Sequence, residues 1–364
     1  MDTPKFANID LLDIGNSCNL DCRQCFYVSP GARFFPSIGE QLDRAKAVVE
    51  KFPGSSLFLY PKEICTSLFL LDMIQAVGQH SVLSNGILLS DRVVEKLAAH
   101  GIEEVKVTLY ASYKEQKIFY GITEEQYRQI IENIARCTRR GLRVIVNSTL
   151  SKITKYSLHR LANLCRDLEV ERIEFLRLMP LGKAKNLDRT IFLDEADMIK
   201  IIGIIEEYKL RHATPRFRYY LNCGPDFHRK TPEEIRRKIA KGRSIGNAQH
   251  FYLCPAINRD YLCVSLVTGK ISGCLFAKIE PIFDQGSIDF TTGQLKLEPP
   301  VLRHKILSEK LRGNCRAGNC KYHKQCLGGC RSTAFAVAKF ANEKNPLYAG
   351  MDICVTKCKE KLGL

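Results

Sequence analysis

No segment of the chain is apolar for long enough to cross a bilayer. Ile201 to Ile205 is among the longest such runs, against the roughly 20 residues a spanning helix needs. An apolar signal segment is missing too, because Asp2, Lys5, Asp10 and Asp13 interrupt the stretch from Met1 to Ser17. Acidic residues are scarce, 39 against 55 Lys and Arg, so the formal net charge is +16. A field of that sign attracts polyanions, acidic peptides or phosphorylated small molecules. No recognisable nucleic-acid module accompanies it, which disfavours nucleic acid as a partner. The densest basic stretch runs from His228 to Arg243 and includes Arg236, Arg237 and Lys241. Glu233 and Glu234 break it, and it reads first as a solvated helix face. Cysteine, by contrast, is abundant. Sixteen cysteines without an export signal argue against a disulfide framework and for metal ligation in a reducing cytosol, so the expected location is cytoplasmic.

Cys18, Cys22 and Cys25 share one loop with the spacing C-x3-C-x2-C, directly after the apolar run Phe6 to Ile14. Three thiolates can hold three irons of a [4Fe–4S] cluster and leave the fourth open to a small ligand. Structural zincs and structural clusters take four protein ligands, so the spacing points to a reactive site. The plainer alternatives are a zinc knuckle or unrelated buried thiols. A knuckle pairs two C-x2-C units at a longer separation, and no such partner follows Cys25.

Short β-branched runs alternate with amphipathic stretches through the first half. Strands are predicted at 7–14, 56–60, 81–83, 104–109, 142–150 and 172–178, and helices at 40–51, 68–77, 91–99, 124–139 and 157–168. Six strands separated by helices imply an α/β fold, a parallel sheet wound into a partial barrel. Sites in such folds lie at the carboxyl ends of the strands, where the three-cysteine loop falls.

The loop and the strand–helix repeat together resemble the radical S-adenosylmethionine (radical SAM) superfamily. The resemblance implies a partial (β/α)6 TIM-like barrel. It also implies that the open iron binds the methionine end of SAM and that an electron splits SAM to a 5′-deoxyadenosyl radical. An electron donor such as a flavodoxin or ferredoxin is implied as a partner. Ser84-Asn85-Gly86, Thr108 and Arg177 at strand ends, and Asn147-Ser148 within the fifth strand, resemble positions where relatives contact SAM, Arg177 as a bidentate partner for its carboxylate. Two departures stand out. The residue before the third cysteine is Gln24 rather than an aromatic, with Phe26 and Tyr27 as the nearby rings. Tyr60-Pro61-Lys62-Glu63 replaces the usual Gly-Gly-Glu-Pro; proline removes a backbone donor, and Glu63 remains the candidate contact there.

Cys254, Cys274, Cys315, Cys320, Cys326, Cys330 and Cys354 are similar in order to the SPASM domain, although Cys315 and Cys320 are spaced C-x4-C where C-x2-C is usual. The likeness implies two auxiliary [4Fe–4S] clusters. Cys254, Cys274 and Cys330 fall to the first; Cys315, Cys320, Cys326 and Cys354 fall to the second. Cys263, on a hairpin strand, is either the first cluster's fourth ligand or a packed thiol. Cys358 can replace Cys354 by spacing. Cys65, Cys137 and Cys165 read as buried thiols, Cys223 as a loop or core thiol, and His323 as a solvated or supporting residue. The expected organisation is a barrel over 1–185, a helical bridge over 186–249, and a small Cys-rich α+β SPASM domain over 250–364.

The resemblance implies hydrogen abstraction from a ribosomally made peptide or protein undergoing modification. Leu275 follows Cys274 where sulfatase-maturing relatives carry an Asp, which disfavours that activity. The usual N-terminal peptide-recognition domain is not expected, so a separate peptide-recognition protein is a possible partner. The alternatives are a small-molecule SPASM enzyme, such as a tetrapyrrole side-chain decarboxylase or a sugar alcohol dehydrogenase, and a non-catalytic iron–sulfur electron carrier.

Overall fold

The computed structural model describes residues 8–27, 35–224, 254, 261–299 and 304–364. Apolar side chains at every second position build its strands. In β4 (Glu104–Thr108), Val105 and Val107 enter the main core, so Lys106 and Thr108 lie on the opposite face. In β5 (Arg143–Leu150), Val144, Val146 and Leu150 do the same and leave Asn147 opposite. With β3 (Ser81–Ser84), β6 (Arg172–Arg177) and β7 (Arg216–Tyr219) they form a parallel sheet in the order β3-β4-β5-β6-β7.

A second sheet starts from β1 (Asn8–Leu12), which pairs in parallel with β2 (Ser56–Leu59) on one side and β8 (Tyr261–Ser265) on the other. Beyond β8, the strands β9 (Lys270–Ser272), β10 (Asp284–Ile288) and β11 (Leu295–Leu297) run antiparallel to one another. The two sheets face a shared interior: Tyr60 feels the charges of Asp10 and Cys263 from one and of Glu174 and Tyr220 from the other. Helices cover the outside. They are α1 (Ile38–Lys51), α2 (Leu71–Ala76), α3 (Asp91–Ala99), α4 (Tyr113–Tyr120), α5 (Glu124–Arg139), α6 (Leu158–Asp167) and α7 (Glu195–Arg211). Reciprocal capping boxes start α1 at Ser37, α5 at Thr123 and α7 at Asp194.

The C-terminal part adds α8 (His304–Lys310), α9 (His323–Cys326), α10 (Arg331–Phe340) and α11 (Val355–Lys361). Leu307, Leu311, Leu327 and Phe335 pack there around Cys254.

Several expectations change. The strands divide between two sheets instead of one, and β7 and β8 join the parallel array. The segment 186–249 is not helical throughout, since its described part holds β7 as well as α7. The predicted helix at 68–77 is a 3-10 turn, Leu68–Leu70, followed by α2. Helix α4, capped by Ser112, was not foreseen. Arg236, Arg237 and Lys241 lie outside the described residues.

Candidate functional site

The chain leaves β1 through Asp13, a fully buried aspartate at φ +62. Its carboxylate accepts from the Tyr27 hydroxyl at 2.7 Å and the Ser265 hydroxyl at 2.5 Å, and pairs with Lys278 at 2.5 Å. Asp13 precedes the three cysteines and Tyr27 follows them, so one buried anion clasps both ends of the loop. The loop's far side rests on the segment after β6. The Lys183 N–H donates to the Cys25 carbonyl at 2.9 Å. Gly182, at φ +57, lets the backbones meet: a Cβ there would stand 2.5 Å from the Cys25 carbonyl oxygen and 2.7 Å from Phe26 Cα. Phe26 packs edge-on against Phe276, ring centres 5.2 Å apart. The ring of Tyr27 lies under Lys278 at 4.3 Å. Both aromatics thus have contacts within the protein.

Cys18, Cys22 and Cys25 are half-buried. Burial pushes the Cys22 thiol up to about 12, and the charges of Cys25 and Cys18 act in the same direction. Thiols crowded in this way bind as thiolates only with a soft cation among them, as in a cluster site. Among the described residues, no three His, Cys, Asp or Glu side chains converge on a single-ion position. A cubane spreads its thiolates over separate corners and has no need of that convergence.

The other predicted contacts gather at neighbouring strand ends. Glu63 is buried, and its carboxylate accepts from the Ser84 hydroxyl at 2.7 Å and from the Asn85 N–H at 2.6 Å and the Cys65 N–H at 3.1 Å. Burial raises its carboxyl. The carboxylate braces the ends of β2 and β3, Oε1 taking two donors and Oε2 one. Asn85 reaches the cysteine loop, donating to Asn19 Oδ1 at 2.7 Å. Thr108 and Asn147 are register partners on the interior face. Ser148 lies on the core face with Val146 and Leu150, so its predicted place beside Asn147 divides between two faces. The Oδ1 of Asn147, the Oγ of Ser148 and the Oε1 of Gln24 are buried acceptors without a partner. Arg177 also differs from expectation. Its two terminal nitrogens bind Asp352, one at 2.7 Å, so the fork expected to meet the SAM carboxylate already holds a carboxylate of the chain.

None of the sixteen cysteines is in a disulfide. Cys254 and Cys330 are hydrogen-bonded, and Cys274 feels the charge of Cys330. Cys315, Cys320, Cys326 and Cys354 line one pocket, together with Met351, Asp352 and Lys357. Cys358 is buried in the main core. Cys263 is buried on β8, its Sγ 3.8 Å from Asp10 and within electrostatic reach of Cys274. Cys137, Cys165 and Cys223 are buried, and Cys65 is half-buried against Ser84. His323 is buried between the carbonyls of Cys315, 2.7 Å from Nδ1, and Ser308, 3.1 Å from Nε2. Sequence reasoning missed Asp13, Lys278 and Asp352. Their roles depend on contacts between distant segments and leave no local pattern.

No family model matches the chain. It is 22% identical over 344 residues to the AdoMet-dependent heme synthase of Methanosarcina barkeri (strain Fusaro / DSM 804), covering 90% of this chain and 92% of that protein. Its fold is similar to that of Streptococcus suis SuiB bound to S-adenosylmethionine, with TM-score 0.68 and 16% identity over 96% of this chain and 77% of that one. It is also similar to anSMEcpe with bound AdoMet, with TM-score 0.65 and 14% identity over 97% and 94% of the two chains. SuiB is also known bound to its precursor peptide SuiA, and anSMEcpe with the Kp18Cys peptide. Over nearly its whole length the chain is thus similar in sequence to an AdoMet-dependent heme synthase, and it shares its fold with two proteins solved with S-adenosylmethionine bound.

Proposed function

We propose that the chain abstracts hydrogen from a carbon of a ribosomally made peptide or protein, using a cluster on Cys18, Cys22 and Cys25. The observation that carries this reading is the loop itself: three crowded thiols at a strand's carboxyl end, clasped through Asp13. Bound there, the cluster and SAM supply an electron and a 5′-deoxyadenosyl radical. The chain's own part is to hold and orient. Asn147 Oδ1 and Gln24 Oε1 offer buried acceptors to hydroxyl and amino donors of SAM. Asn85 steadies the loop next to Cys18 through Asn19.

Two auxiliary clusters complete the proposal. Cys254, Cys274 and Cys330 hold the first, with Cys263 its nearest further thiol; Cys315, Cys320, Cys326 and Cys354 hold the second. The domain division proposed is 1–185, 186–249 and 250–364. The relatives crystallised with peptides support a peptide substrate, and a separate recognition protein or the basic bridge would present it.

A second reading is favoured by the full-length relative named a heme synthase. In it the substrate is a small molecule bearing carboxylates, which the +16 charge suits. The deciding experiment incubates the anaerobically reconstituted chain with reductant, SAM and either acidic peptides encoded beside the gene or a porphyrin carrying carboxylate side chains. A mass change in the peptide supports the first reading, and loss of carboxyl groups from the porphyrin supports the second. No 5′-deoxyadenosine under any condition would refute both.

A further inference from the structure

Arg331 is a buried cation with no acid to answer it. It opens α10 directly after Cys330 and is 0% exposed. Its Nη1 donates to the Gly328 carbonyl at 3.1 Å, and its Nη2 to the carbonyls of Leu347 at 3.1 Å and Ala349 at 2.6 Å. Its Nε has no partner. Carbonyls supply dipoles but no countercharge, and a guanidinium does not give up its proton. Among the described residues Arg331 forms no ion pair with Asp or Glu; the leading charges that act on it are those of Cys254, Cys315, Cys330 and Cys326.

Those four cysteines belong to both C-terminal sets. Cys254 and Cys330 come from the first, Cys315 and Cys326 from the second. Gly328, between Cys326 and Cys330, keeps the space open, because a Cβ there would stand 2.5 Å from Arg331 Nη1. A buried cation held only by carbonyls and thiols is costly, and a neighbouring anion offsets part of the cost.

We infer that Arg331 is a counter-cation shared by two anionic iron–sulfur clusters, and that its charge raises the reduction potentials of both. The inference rests on reading the C-terminal cysteines as cluster ligands. A cubane bound by four thiolates is negative and becomes more so on reduction, so a fixed positive neighbour favours the reduced form. The cluster proposed on Cys18, Cys22 and Cys25, whose ligands lie in a different part of the fold, serves as an internal reference.

The test uses the full chain, anaerobically reconstituted, as wild type, Arg331→Met and Arg331→Lys. Midpoint potentials are read by EPR-monitored redox titration, with the SAM-binding cluster identified by its change on SAM addition. Arg331→Met should move both auxiliary potentials downward and leave the reference in place, while Arg331→Lys, which keeps the charge and alters the packing, should stay near wild type. Unmoved auxiliary potentials in a loaded Met variant overturn the inference, as does a Lys variant displaced as far as the Met variant. If the Met variant loads no auxiliary iron, the Lys variant decides: wild-type potentials support the countercharge, and shifted ones overturn it. Wild-type protein without auxiliary clusters defeats the ligand reading itself, and is recognised by its iron content before any variant is made.

Discussion

Gly182→Ala tests whether the segment after β6 holds the third cysteine in place. The new methyl carbon would stand 2.5 Å from the Cys25 carbonyl oxygen, 2.7 Å from Phe26 Cα and 2.8 Å from the Phe26 carbonyl oxygen. All three are backbone atoms, so no side chain can swing aside. The left-handed φ of +57 adds about 1 kcal/mol for any residue with a Cβ. Overpacking of this kind adds about 1–3 kcal/mol. Relief requires the two segments to part, which breaks the Lys183 N–H to Cys25 carbonyl bond, worth about 1 kcal/mol. Destabilisation by about 2–4 kcal/mol follows. Gly203→Ala is the control, the same chemical change in α7 with no atom within 4 Å, and it should stabilise by about 1 kcal/mol. Urea unfolding of the reconstituted proteins reads both, and iron loss from the SAM-binding site should be faster in Gly182→Ala alone. Equal unfolding midpoints and equal iron retention in the two variants would refute the buttress.

Three further outcomes are expected. Replacing Cys18, Cys22 and Cys25 together with Ala should lower iron from about 12 to about 8 per chain and abolish 5′-deoxyadenosine, as read by iron assay and chromatography. Asp352→Asn should cost about 3 kcal/mol by leaving Arg177 buried without its anion, whereas Arg177→Met with Asp352→Leu should cost clearly less, both measured by denaturant titration. Asp194→Ala removes the α7 cap and should cost about 1 kcal/mol. The Lys152 hydrogen bond lowers the Asp194 carboxyl from 3.8 to about 2, so its contribution is full above pH 3.8 and fades as pH falls through about 2; Asp194→Ala should therefore approach wild-type stability in strong acid.

Where structure follows from neighbours in sequence, the chain is readable. Helix α3 begins after Ser90 and α5 after Thr123, where polar cap residues precede an apolar periodicity, and both match their predicted spans. The three cysteines are legible because their spacing lies within eight consecutive residues, 18 to 25. What is not legible depends on distant partners. Strand β7 is short, and only β6 beside it makes Arg216 to Tyr219 a strand. The expected role of Arg177 rested on its place at a strand end, but its actual partner, Asp352, lies 175 residues away. Glu63 stands where expected, and the three donors that meet its carboxylate come from residues 65, 84 and 85, the last two of which no local pattern links to it.

The pairing of β8 with β1 bears on how the chain reaches this state. Asp10 and Cys263 are register partners 253 residues apart, so one edge of β1 stays unpaired until most of the chain has been made. Non-local parallel pairing of this kind is slow, and an open strand edge meanwhile recruits other chains. During synthesis the N-terminal barrel segment would present that edge while its closing strand was still to come. Fragments ending before Tyr261 should accordingly aggregate even with every barrel helix present. Chaperone supply, as much as iron supply, would then limit the yield of active protein.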